Sequence, residues 1–70
     1  MIPIKGKLYK ISFISENSSA SYEGIAWCTN DNPVILEGLT CWHFKLANID
    51  SNGELAMFTE ADVLFEICTE

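Results

Sequence analysis

Residues 7–14, Lys-Leu-Tyr-Lys-Ile-Ser-Phe-Ile, alternate in character, with Tyr9, Ile11 and Phe13 on one face and Lys10 and Ser12 on the other. A period of two is the signature of a half-buried β-strand. Pro3 and Gly6 before it suit a lead-in turn, and turn signals then return every eight to twelve residues. That rhythm constrains the fold more than any other feature, because it leaves room only for short strands joined by tight connections.

The signals can be placed one by one. Residues 15–21, SENSSAS, are polar and small and read as an exposed loop. A second strand is expected over Tyr22–Thr29, with Ile25 and Trp27 on one face and Ala26 and Cys28 on the other. Gly24 inside it suggests a bulge or a close backbone approach. Thr29-Asn-Asp-Asn-Pro33 reads as a turn, because Asn and Asp cap their own backbone and Pro lacks a donor. Val34–Leu36 follow as a short strand, then Glu37-Gly38 turn the chain into Leu39–Ala47, with Thr40, Trp42, Phe44 and Leu46 sharing a face. Asp50–Gly53 carry the Asn-Gly pair of a tight hairpin, and Leu55–Phe58 pair back.

The C-terminal stretch has two readings. Thr59 as an N-cap with acids behind it starts a helical turn near residues 59–62, and Val63–Ile67, rich in β-formers, then make a closing strand. A helix from Glu60 to Ile67 is the alternative. The predicted fold class is all-β: one 70-residue domain, a five- or six-stranded antiparallel barrel or strongly curled sheet of the SH3-like kind. Trp27, Trp42 and Phe44 are the first choices for its core. A chain this short buries only roughly 60% of its unfolded surface, which leaves little room for a deep substrate cleft as well as a core.

Charge narrows the partners. Four lysines, no arginine and ten carboxylates give −6. Residues 1–15 hold three lysines and no acid, whereas residues 16–70 hold all ten acids and only Lys45, a balance of −9. Such a surface repels nucleic acid and anionic lipid, and the guanidinium fork that grips phosphate is missing. Direct nucleic-acid and membrane binding are therefore not expected, and a basic protein is the natural partner. The bland alternative is that the acids only keep a small, 49% hydrophobic domain soluble.

The N-terminal MIPIKGKLYK has neither a long apolar run nor a small-residue cleavage site, and no segment approaches the ~18 apolar residues of a membrane span. Cys28, Cys41 and Cys68 are an odd set without CxxC spacing, which fits reduced thiols in the cytoplasm. The sequon Asn17-Ser18-Ser19 carries no meaning there.

Three groups of residues could carry chemistry. Cys28, Cys41, His43 and Cys68 have the arithmetic of a Cys3His zinc site, but not the two-ligand tight turn that builds one. Cys41 and His43, two apart, share a strand face as a thiol–imidazole pair would, yet no second histidine and no Gly-rich helix start supports them. Glu60, Asp62 and Glu66 gather carboxylates, with nothing to bury them. The chain also lacks GxGxxG, P-loop and HExxH motifs.

The expectation is accordingly non-enzymatic, with no cofactor and no resident metal: a small acidic interaction domain. As an inhibitor or adaptor it would bind a basic, nucleic-acid-handling or host-defence protein, as nucleic-acid mimics encoded by viruses or mobile elements do. Candidate contact residues are Glu16, Glu23, Asp31, Glu37, Asp50, Glu54, Tyr22 and His43. A homodimer is compatible with an open sheet edge. The competing expectation is a small-ligand or metal-binding module, or a minor enzyme subunit. It would use the Cys41/His43 face or a cleft between residues 15–21 and 29–33.

Overall fold

The computed structural model describes residues 1–14, 21–48, 50 and 53–67, and only the backbone of Asp31. The chain is all-β, with β1 (Leu8–Ile14), β2 (Ser21–Leu36), β3 (Leu39–Leu46), β4 (Leu55–Thr59) and β5 (Val63–Ile67). They form one antiparallel sheet in the order β4-β3-β2-β1-β5.

That order forces the sheet to curl. β4 and β5 occupy opposite edges, yet only Glu60, Ala61 and Asp62 connect them. Four Cα steps reach at most ~14 Å, whereas the edges of a flat five-stranded sheet lie ~19 Å apart. The connecting turn is closed by Asp62 N–H donating to Thr59 O at 3.0 Å. Thr59 N–H and Oγ1 both donate to the Asp62 carboxylate, at 2.9 and 3.1 Å. Ser12 N–H then donates to Asp62 O at 2.9 Å and fastens the crossing to β1. The expected turn of helix is instead a β-turn in which Asp62 accepts from Thr59 and Thr59 Oγ1 is not an N-cap acceptor, and residues 63–67 are strand, not helix. β4 and β5 do not pair with each other, so this SH3-like sheet stays open along that seam.

β2 departs from expectation in two ways. Residues 29–33 do not reverse the chain: β2 runs unbroken from Ser21 to Leu36 and bulges there instead. Asn30 pairs with His43 and Val34 with Cys41, so residues 31–33 face Trp42 alone. Asn32 N–H donates to Asn30 Oδ1 at 2.8 Å, an Asx turn, and Pro33 has no N–H to give to a ladder. The local turn chemistry operates, but pairing with β3 on both sides holds the strand together.

The second departure is Trp27, which is 38% exposed; the buried face of β2 is Gly24, Ala26 and Cys28. The register gives the reason. Tyr9 sits opposite Ala26, Ile11 opposite Gly24 and Phe44 opposite Cys28. Bulky side chains on β1 and β3 fill the interior, so the strand between them contributes small ones. Trp42 and Phe44 are buried as expected, with Tyr9, Ile11, Leu46, Phe58 and Val63. Phe58 is the hub, with Phe44, Tyr22 and Phe13 rings centred 5.5, 5.8 and 6.0 Å away.

Gly24 is the close approach anticipated from sequence. A Cβ there would collide with the Asn48 amide. That amide brackets the glycine: Ile25 N–H donates to Asn48 Oδ1 at 3.0 Å, and Asn48 Nδ2 donates to Glu23 O at 3.1 Å. The side chain thus carries the β2–β3 ladder past the end of β3.

Candidate protein-binding surface

Alternation from the buried residues defines the outer face. On β4, Ala56 and Phe58 point inward while Leu55 and Met57 point outward, and both of the latter are exposed. Their cross-strand partners on β3 are Lys45 and His43. Trp27 lies beyond Lys45 on β2, opposite Leu8 of β1. This outer face is largely apolar, and Leu55 is 74% exposed.

The free edge of β4 can be derived bond by bond. Gly53 N–H donates to Leu46 O at 2.8 Å and Leu46 N–H donates to Glu54 O at 2.7 Å. With Gly53 at φ +90°, this is a glycine-led bulge at the start of β4, where the tight hairpin is expected over residues 50–53. Ser51 and Asn52 of that expectation lie outside the described residues. Hydrogen-bonded pairs recur every second residue of an antiparallel ladder, so Phe44–Ala56 and Trp42–Phe58 are bonded. The N–H and C=O groups of Leu55 and Met57 therefore point away from the sheet. Thr59 N–H is already held by Asp62. Among the described residues, β4 pairs with β3 alone.

Hollows flank this edge. On one side lies an open groove of about 550 Å³ bounded by His43, Leu55 and Met57, with the bulged Thr29 and Asn30. On the other, a groove of about 270 Å³ is lined by Phe13, Tyr22, Leu46, Glu54 and Phe58. A third, about 230 Å³, sits at the far end of β4 between Trp42, Thr59 and Glu60.

The residues singled out from sequence are distributed unevenly. Glu23, Asp50 and Glu54 are exposed and belong to one end of the sheet, where β2 begins and β3 hands over to β4. Glu37 lies at the opposite end in a two-residue turn with Gly38, both at positive φ, +51° and +82°. Glu16 lies outside the described residues, and so does the Asp31 side chain. Tyr22 is half-buried, with its hydroxyl donating to Ile25 O at 2.6 Å and its ring stacked on Phe58. Burial raises the phenol pKa of Tyr22, and likewise that of Tyr9, whose hydroxyl accepts from Ile4 N–H at 2.8 Å.

The thiols and the imidazole separate. Cys28 is on the inner face against Phe44, while Cys41 and His43 are on the outer face of β3, Cys41 buried and His43 half-buried. Cys68 lies outside the described residues. Among the described residues no three of His, Cys, Asp and Glu are gathered as metal ligands. His43 Nδ1 is buried and has no hydrogen-bond partner among them. No helix among the described residues is long and apolar enough to cross a membrane.

The β4 edge is the feature that reading by residue type passed over. Its signal was Leu-Ala-Met-Phe-Thr, a strand without charge or proline to guard it, set between Glu54 and Glu60. No family model, curated protein or solved structure matches the chain.

Proposed function

We propose that this chain is a non-enzymatic interaction domain that engages a basic protein through its acidic end. The observation that carries the reading is that Glu23, Asp50 and Glu54 are all exposed at the end of the sheet where β2 begins and β3 hands over to β4, the end at which the exposed apolar Ile14 and Leu55 also stand. An apolar contact area rimmed by like charge is how a small domain binds an oppositely charged protein surface with specificity. Bound there, it would act as an inhibitor or adaptor by occupying cationic surface that otherwise holds nucleic acid, the strategy of virus-encoded mimics. The test is affinity capture at 50 mM and 500 mM salt with the native chain and with E23Q/D50N/E54Q. The reading expects basic proteins retained by the native chain at low salt, then lost at high salt and lost by the variant. Capture of the same proteins by both chains at both salt concentrations refutes it.

A second reading, a small-ligand module, has one observation in its favour. His43, whose buried Nδ1 has no hydrogen-bond partner among the described residues, lines the groove of about 550 Å³. A thermal-shift screen against metal ions and metabolites decides it: no stabilisation by any of them removes this reading.

A further inference from the structure

We propose that an extended segment of the basic partner, apolar in its middle and carrying Lys or Arg at both ends, adds to the open edge of β4 as a further strand. This rests on the function proposed above and names the element and the ligand chemistry.

Three features of the edge point to such a segment. The first is backbone: Leu55 and Met57 present N–H and C=O groups that pair with nothing among the described residues on an exposed edge, the template for strand addition. The second is shape. Side chains of an added strand alternate between the sheet's two faces, and β4 has a groove on each: the one beside His43 and Met57, and the one beside Tyr22 and Phe58. The third is charge. Glu54 and Glu60 bracket the uncharged strand at both ends, and each lines a hollow. Lys45 pairs with Leu55 at the Glu54 end of β4 and is exposed on the outer face, whereas Glu54 lines the groove beside Tyr22 and Phe58 on the other face.

Charge also selects against the simplest competitor. Two copies pairing β4 with β4 antiparallel, Met57 opposite Met57, would set Glu54 of one opposite Glu60 of the other. Like charges directly opposed destabilise a strand pair, so a segment with cations six residues apart fits this edge better than the chain itself does.

The probe is the blocked peptide Lys-Val-Thr-Val-Thr-Val-Lys, titrated into the isotope-labelled full chain at 50 mM salt and followed by amide chemical shifts. Expected are shifts centred on Leu55 and Met57, with exchange of those two amides slowed about tenfold or more. The same peptide with Glu at both ends should bind about tenfold more weakly or worse. Met57→Pro, which removes one edge donor, should lose binding. E54Q/E60Q, which leaves the backbone edge intact, should weaken it should the proline variant not fold. Equal binding of the two peptides, shifts centred elsewhere, or no binding overturns the proposal. So does protection of Leu55 and Met57 that grows with protein concentration alone, which would assign the edge to a second copy. If folded Met57→Pro still captures the basic proteins that E23Q/D50N/E54Q loses, the interaction function stands and the edge proposal falls.

Discussion

The inner face of β4 and its outer edge are made from the same five residues, and they differ in burial and in backbone pairing. Phe58 and Ala56 close onto Phe44, Tyr22 and Phe13, with Ala56 opposite Phe44 and Phe58 opposite Trp42 across the ladder. Leu55 and Met57, on either side of Ala56, are exposed, and their backbone groups pair with nothing among the described residues. One strand thus supplies both the hub of the core and an exposed, uncharged edge. Stability and recognition are therefore separable by alternate positions on β4, and substitutions there should divide sharply.

The largest effect should fall on the core side. Phe44→Ala removes the ring that touches both Tyr9 and Phe58 and should cost about 3–5 kcal/mol, enough to unfold much of a domain this small. Leu55→Ala should stay within ~0.5 kcal/mol of the native chain in the same urea titration. Equal costs at the two positions would erase the distinction between face and edge.

Gly24→Ala comes next, at about 1–3 kcal/mol, because its methyl meets an amide held by two hydrogen bonds. In an Asn48→Ala background the same change should cost markedly less, a coupling that a double-mutant cycle reads directly. Additive costs would mean that Asn48 does not bracket Gly24.

Alkaline pH probes the aromatic wall. Burial raises the phenol pKa of Tyr9 and Tyr22 in the folded chain above the ordinary 10.0, so folding favours their neutral forms. Their contribution is complete below pH 10 and is lost as pH rises through the folded values. Stability followed from pH 9 upward should fall, and Y9F/Y22F should fall less steeply; parallel curves would count against buried phenols. The smallest effect should be a gain. Glu37 holds a positive φ that suits Gly or Asn, so Glu37→Gly should raise stability by about 0.5–1 kcal/mol in thermal unfolding.

Much of the fold was legible in the sequence, because strand alternation and turn chemistry are local. The Tyr9/Ile11 face, the Trp42/Phe44 face, the Glu37-Gly38 turn and the turn at Thr59 all follow from short-range rules. What was not legible depends on partners distant in sequence. Alternation splits Ile25/Trp27 from Ala26/Cys28, but only the bulk of Tyr9 and Phe44 across the ladder decides that the small pair faces in. Asn30–Pro33 carry every sign of a reversal, and only pairing on both sides with β3 turns them into a bulge. Net charge was plain, but the grouping of Glu23 with Asp50 and Glu54, and the distance of Glu37 from them, required the strand order. The open edge was hidden for the same reason, since β4 is an edge only because β5 crosses to β1.

Residue-by-residue amide exchange along β4 in the isolated chain tests the central claim most directly. Ala56 and Phe58 should be protected and Leu55 and Met57 should exchange at nearly unprotected rates, whatever the protein concentration. Uniform protection from Leu55 to Phe58 would contradict the account, because it would mean that the edge is already covered.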